Sequence, residues 1–222
     1  MYLHIKKDRI RIRIKPRIIL YKKDIDKPKN IVQSNEFLNI CPYNTHEYKV
    51  AKKINGEIIN ADSMQIYKQL KILSARPDPK KYQKIEHHLY GFHDVKKKFS
   101  TGDWLKLAKE KIKNIKKRNK IPILVGGTGL YFKALTDGLV NIPNIPMKFR
   151  NNVRNLHKKI GSKNFFSKLV KLDPISKNFI NSSDTQRAIR AYEVKLYTKK
   201  SMYDWFKNTQ SEFEKKDFLK IY

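Results

Sequence analysis

Three short stretches carry side chains whose types and spacing could do chemistry. Glu57-Ile58-Ile59-Asn60 reads as an apolar strand and runs straight into Ala61-Asp62-Ser63-Met64-Gln65. That order delivers a carboxylate, a hydroxyl and an amide to the strand's C-terminal end, which is where ligands bind in an open parallel sheet. Asp62 there is a candidate general base or metal ligand, because a carboxylate in a partly dry site is a competent proton acceptor. An aspartate at such a place equally often caps the turn that follows, and the residues alone leave both readings open. Gly126-Gly127-Thr128-Gly129 is the second stretch. Glycines at a strand-to-helix turn let backbone amides approach a ligand, and the helix N-terminus favours an anion. Thr128 adds a hydroxyl to the same space, although a tight turn with a capping threonine is the plainer account. The third is Gln186, Arg187 and Arg190 in DTQRAIRAYEV. Side chains of these types on successive helical turns can reach base edges and phosphates, but by itself such a helix is more often a solvated face. His87-His88 does not read as a metal pair, since neighbours in sequence cannot both chelate from a regular strand or helix. No Cys or second His pair stands at ligand spacing either.

The elements that must position these groups alternate between helix and short apolar strand. Residues 48–54 (YKVAKKI) place Val50, Ala51 and Ile54 at helical spacing, and Asn55-Gly56 supplies the stop. Ser100-Thr101-Gly102-Asp103 opens a helix with Leu105, Leu107, Ala108, Ile112 and Ile115 facing inward. IPILV at 121–125 is a buried-type strand that leads into the glycine turn and the helix LYFKAL. This pattern predicts an α/β fold with a parallel sheet. A proline-marked link (NIPNIP) precedes a basic helical stretch from 147 to about 172, and a second strong helix spans 184–197 with Asp184 as its N-cap. DFLKIY at 217–222 reads as a strand beginning. The stretch before Thr45 shows no convincing period: RIRIRIKPRIIL is a half-exposed strand at best, broken by Pro16. The expected organisation is a basic, irregular segment at 1–46, an α/β core at 47–140, a helical insertion at 141–181, and a helix and strand at 182–222 returning to the core.

Fifty Lys and Arg against 20 Asp and Glu give a net charge of +30 over 222 residues. Such an excess suits a polyanion, through counterion release from phosphates. A Lys-, Ile- and Asn-rich composition also accompanies AT-rich coding, so charge alone supports nucleic acid only weakly. Cys41 is the single cysteine, which excludes an intramolecular disulfide and fits a reducing compartment. No apolar run approaches the roughly 18–20 residues needed to span a bilayer. The first 30 residues lack the apolar region of a signal peptide and the acid-free character of a transit peptide. A cytoplasmic protein without a membrane partner is expected.

Taken in order and spacing, EIINADSMQIY, HHLYGF, PILVGGTGLYFKAL and SSDTQRAIRAYEV resemble the tRNA dimethylallyltransferases, also called tRNA isopentenyltransferases. The resemblance runs from about Val50 to Tyr222. It implies a P-loop-kinase-like core of the nucleotide-binding, ATP-binding class, with helices on both sheet faces and a helical insertion that grips tRNA. It implies transfer of a dimethylallyl group from dimethylallyl diphosphate to the N6 amine of the adenosine 3′ of the anticodon, with Mg²⁺ as cofactor and the tRNA anticodon stem-loop as partner. In that scheme Asp62 matches the general base and Thr128 a residue near the diphosphate and reacting centre. Gly126, Gly127, Thr128 and Gly129 face the diphosphate. Asp62, Ser63, Met64 and Gln65 match one tRNA-holding segment, and Gln186, Arg187, Ala188, Ile189 and Arg190 match the other. Arg150 falls where the family has a further tRNA-facing site, and a monomer is expected.

Two departures bear on this scheme. The family's GxxxxGK[ST] turn belongs before the helix at 48–54, yet residues 30–47 (NIVQSNEFLNICPYNTHE) hold no glycine, and Gly56 is the first in the chain. Such a turn supplies several amide donors and a lysine to a diphosphate, and one well-placed donor to developing charge is worth about 100- to 1000-fold in rate. Family members also continue past DFLKIY, so a truncated C-terminus is expected. Either another element supplies the phosphate contacts, or the segment before Tyr48 is replaced or frameshifted and the remainder binds RNA only. A P-loop small-molecule kinase or an AMP prenyltransferase would share the sheet, but neither requires the basic helices.

Overall fold

The structure is a computed structural model and describes residues 18–22, 46–82 and 85–221. Five strands form one sheet: β1 (Ile18–Lys22), β2 (Gly56–Asn60), β3 (His87–His88), β4 (Ile121–Gly126) and β5 (Phe218–Ile221). Their order is β3-β2-β4-β1-β5, and every pairing is parallel. Three helices accompany them, α1 (His46–Ile54), α2 (Thr101–Lys117) and α3 (Gly129–Asp137).

Alternation along the strands decides which helix covers which face. Ile59 and Leu124 point into a cluster with Trp104, Leu105, Ala108, Ile112 and Ile115 of α2 and Tyr131, Ala134 and Leu135 of α3. Their neighbours Ile58, Ile123 and Val125 point the other way, onto Val50 and Ala51 of α1. β2 and β4 are therefore buried along their whole length, which explains the apolar run of β4 and the Ile58-Ile59 centre of β2, where Glu57 and Asn60 are buried polar ends. α2 starts on a capping box: Ser100 Oγ accepts from Asp103 N at 3.2 Å, and Asp103 Oδ2 accepts from Ser100 N at 2.9 Å. The Ser100 hydrogen bonds hold the Asp103 carboxyl below its ordinary value. Trp104, absent from the inward face read off the sequence, is completely buried there, while Leu107 is only partly covered.

The N-terminal reading needs one correction. Residues 18–22 form an interior strand, with Ile19 opposite both Ile123 of β4 and Leu219 of β5. The apolar run is too short to stand out beside RIRIRIKP, and its place is set by partners roughly a hundred and two hundred residues away in the chain. The connection from β1 to α1 thus covers 23–45, where the sequence has no glycine. The P-loop slot read at 30–47 and the lone Cys41 lie in it, outside the described residues except for His46 and Glu47.

A second compact unit spans Gly138–Gln210. It contains α4 (Met147–Leu172), α5 (Thr185–Thr198) and α6 (Met202–Phe206). Val153, Phe165 and Leu169 of α4 pack with Ala188, Ala191, Tyr192 and Val194 of α5 around its own core. The helix at 185–198 therefore belongs with the helical unit, and the chain rejoins the sheet only from Ser211. Gly161 breaks α4 with φ 75° and ψ 163°. Asp184 caps α5 as the sequence predicts, accepting from Arg187 N at 3.1 Å. Among the described residues no helix is long and apolar enough to cross a membrane.

Candidate active site

The C-terminal ends of β2 and β4 are stitched together. Ala61 N donates to Val125 O at 2.7 Å, and Thr128 N donates to Ala61 O at 3.2 Å. Gly126 is what permits this approach, since a Cβ there would stand 2.2 Å from the Ala61 carbonyl carbon and 2.5 Å from Asp62 N. Buried Asn60 fixes the backbone beyond the strand: its Oδ1 accepts from Asp62 N at 2.9 Å, and its Nδ2 donates to Asp62 O and Leu89 O, each at 3.0 Å. Asn60 is held in turn by Trp104 Nε1, which donates to its carbonyl at 2.9 Å.

On that frame Asp62 is half-buried. Its Oδ1 accepts from Met64 N at 2.7 Å and from Gln65 N at 3.4 Å, so the aspartate does cap the following turn. The cap uses one oxygen. Oδ2 takes no hydrogen bond among the described residues, so capping and proton acceptance are compatible in one side chain. Ser63 N donates to Thr128 Oγ1 at 2.9 Å, and that hydroxyl donates to Ser63 Oγ at 3.2 Å. Thr128 thus ties the two loops together and leaves the Ser63 proton available. Gly127 continues the turn, and a Cβ on Gly129 would meet nothing among the described residues within 4 Å. Among the described residues the N-terminus of α3 is therefore open beside the two hydroxyls. Asp62, Ser63, Gly126, Gly127, Thr128 and Gly129 come together as their spacing predicts. Met64 is 46% exposed, whereas the Gln65 side chain is turned to Ser74 O at 3.0 Å.

Three residues of this site were not singled out from sequence: Asn60, Trp104 and Tyr131. Tyr131 stacks on Trp104 with centroids 4.3 Å apart. Burial, with smaller contributions from Tyr67 and the Asp62 charge, pushes its hydroxyl up to about 12, so it stays protonated near the carboxylate. An asparagine closing an apolar strand and a tryptophan opening an apolar helix face were the available signals.

At the other end of β2, Glu57 is completely buried. It accepts from Lys120 at 2.8 Å, Arg118 at 2.5 Å and His88 Nε2 at 2.7 Å. Burial pushes its carboxyl up, but those three hydrogen bonds outweigh it and the net position is below 4.5. Glu57, Glu86 and His88 stand close enough to share a metal ion, yet Arg118 and Lys120 already neutralise the buried carboxylate. His87 turns aside to stack on Tyr82 at 4.0 Å, so the two histidines do not act as a pair.

In the second unit Arg150 and Arg190 share one partner. Glu193, 1% exposed, faces Arg150 Nε at 3.1 Å and Arg190 at 3.5 Å through Oε2. Gln186 and Arg187 lie exposed on the first turn of α5, with Arg187 Nε 3.3 Å from the capping Asp184. Ala188 is 3% exposed and Ile189 packs beside it on the apolar cluster. Their side chains hold the helix in place, so within 186–190 the exposed side chains are those of Gln186 and Arg187, with Arg190 partly so.

A wholly parallel sheet with helices on both faces, bearing a carboxylate, hydroxyls and a glycine turn at its C-terminal edge, is a P-loop-kinase-like core. The family model described as IPP transferase matches residues 65–222, and the chain belongs to that family. A tRNA dimethylallyltransferase of Pelagibacter ubique is 63% identical over 174 residues, covering 78% of this chain and 56% of the relative. One from Rickettsia massiliae is 52% identical over 159 residues, covering 71% and 44%. The chain spans about half the length of these curated relatives. A solved eukaryotic dimethylallyltransferase acting on tRNA shares the fold, with a TM-score of 0.68 at 24% identity over 91% of this chain and 46% of the other.

Proposed function

We propose that this chain transfers a dimethylallyl group from dimethylallyl diphosphate to the N6 amine of the adenosine 3′ of the anticodon in tRNA. One observation carries the reading: a carboxylate with a free oxygen, Asp62, stands beside the Ser63 and Thr128 hydroxyls and an open helix N-terminus, in a chain of the IPP transferase family. The amine nitrogen attacks C1 of the dimethylallyl group, the C1–O bond breaks, and diphosphate leaves with the electron pair. Asp62 Oδ2 takes the amine proton while the Met64 and Gln65 amides steady the charge on Oδ1. The Ser63 hydroxyl and the amides opening α3 stabilise the leaving diphosphate. An adenine in an anticodon loop costs little to unstack, which suits a base seated at a strand end. The Ser63 and Thr128 hydroxyls offer oxygen donors of the kind that a hard cation such as Mg²⁺ takes, and they leave Asp62 Oδ2 free as the base. Held there, Mg²⁺ would supply positive charge against the diphosphate. Arg150, Gln186, Arg187 and Arg190 orient the RNA, and the protein works as a cytoplasmic monomer.

A second reading, tRNA binding without transfer, has its own support in the absence of any glycine before Gly56. Transfer of labelled dimethylallyl to unmodified tRNA, run beside Asp62→Asn with tRNA binding followed in parallel, separates the two. Transfer that vanishes in Asp62→Asn while binding stays within a few-fold supports the proposal. Full activity in that variant would make the base assignment wrong, and wild-type binding without transfer would favour the second reading.

A further inference from the structure

Resting on that RNA reading, we infer that Glu193 is a positioning residue for an arginine clamp on RNA phosphate, and that Arg154 is the clamp's third member. Arg150 and Arg154 stand one turn apart on α4, and Arg190 and Glu193 one turn apart on α5, so four side chains meet at one seam of the helical unit. Glu193 Oε2 serves Arg150 and Arg190, while Arg154 Nε lies 3.9 Å from Oε1. That distance is within ion-pair range but beyond a hydrogen bond, and Oε1 is buried with no hydrogen-bond partner among the described residues. One carboxylate needs one cation. Here it has three, and the cluster keeps a surplus of two positive charges beside a buried anchor.

The surplus faces outward. The side chains of Arg150, Arg154 and Arg190 are 32%, 44% and 39% exposed, against 1% for Glu193. Each guanidinium carries five N–H donors in a rigid fork, and hydrogen bonds to Glu193 engage one nitrogen each of Arg150 and Arg190 and none of Arg154. The remaining donors suit the paired oxygens of a phosphate. Arginines fixed beforehand on a buried carboxylate lose less rotamer freedom on binding than free ones. An acidic peptide could use the same forks, but the +30 charge of the chain favours the RNA backbone.

The test measures binding of a fluorescent unmodified anticodon stem-loop to the full 222-residue chain over a salt series, for wild type, Arg154→Ala and Glu193→Gln, with thermal melts and the transfer assay alongside. Arg154→Ala should weaken binding severalfold and lower the log–log salt slope by about one. Glu193→Gln discriminates by sign. It adds a net positive charge, so long-range attraction alone would tighten binding, whereas loss of positioning weakens it despite the added charge. Binding as tight as wild type or tighter in Glu193→Gln overturns the positioning role. An unchanged slope in Arg154→Ala overturns the clamp, and because Arg154 is a partly exposed side chain that variant decides the matter even if Glu193→Gln fails to fold. Clamp effects on binding in a chain that transfers nothing would refute the transfer reading alone. Normal transfer with unaffected variants would refute the clamp alone.

Discussion

Replacing Gly126 with alanine tests whether the site depends on the close approach of two strand ends. The new methyl would lie 2.2 Å from the Ala61 carbonyl carbon, 2.4 Å from its oxygen and 2.5 Å from Asp62 N, where ordinary contact begins at 3.4 Å. All three neighbours are backbone, so the seam has to open by about 1 Å. Stretching the 2.7 Å bond from Ala61 N to Val125 O by that amount takes it out of hydrogen-bond range. Overpacking costs about 1–3 kcal/mol and a lost hydrogen bond about 1 kcal/mol. A loss of about 2–4 kcal/mol lowers the melting temperature of a chain this size by roughly 5–15 °C. Displacing Asp62 by about 1 Å should also cut transfer about 100-fold. Gly129→Ala is the matched control, because its methyl meets nothing among the described residues within 4 Å. Its melt should follow wild type, while the KM for dimethylallyl diphosphate rises and tRNA binding holds. Circular-dichroism melts and the labelled-transfer assay read both variants. A Gly126→Ala protein that melted and reacted like wild type would refute the reasoning.

Two further outcomes concern the frame around the site. Gly161 has open space around it but sits at φ 75° and ψ 163°, a region that only glycine occupies comfortably; Gly161→Ala should therefore destabilise the chain by about 1–3 kcal/mol through backbone strain alone, and a melt at or above wild type would contradict that. Glu57, whose folded carboxyl lies below 4.5, contributes stability that is present above the unfolded value and lost as pH falls from about 4.5 through the folded one. Melting temperature against pH should consequently fall more steeply on the acid side in wild type than in Glu57→Gln, and identical acid limbs would show that the ion-pair cluster does not act this way.

Much of the core was legible because local signals and tertiary roles coincide there. IPILV is apolar throughout and EIIN has an apolar centre since both sheet faces are covered, and Ser100 with Asp103 and Asp184 mark helix starts by chemistry confined to one turn. The meeting of Ser63, the neighbour of Asp62, with Thr128 followed from the strand–helix–strand order, because parallel neighbours bring their C-terminal ends to one edge. Other features have no local signature. The place of β1 depends on β4 and β5, far along the chain. Glu193 reads in sequence as a surface charge on a basic helix, and only its contact with Arg150, 43 positions earlier, reveals a buried anchor. Asn60 and Trp104 likewise matter through a bond spanning 44 positions.

β2 carries a carboxylate near its start and another just beyond its end, and the contrast between them explains why only one is suited to chemistry. Glu57 is closed off from solvent and surrounded by Lys120, Arg118 and His88. Three donors on a buried carboxylate leave it neither a spare lone pair in reach of a substrate nor a reason to take up a proton near neutrality. Asp62 has amide partners on one oxygen only, and no cation lies within ion-pair distance of it among the described residues. The same strand thus fixes its first carboxylate with permanent counter-charges and presents its second half-covered, beside two hydroxyls and a helix N-terminus. A base that must gain a proton as a bond forms has to be stable when charged and also free to become neutral. Amide capping without a paired cation satisfies both conditions, since removing the charge breaks no ion pair. A lysine or arginine introduced beside Asp62 would add positive charge to the site and still slow proton uptake, so net charge alone does not make this edge of the sheet reactive.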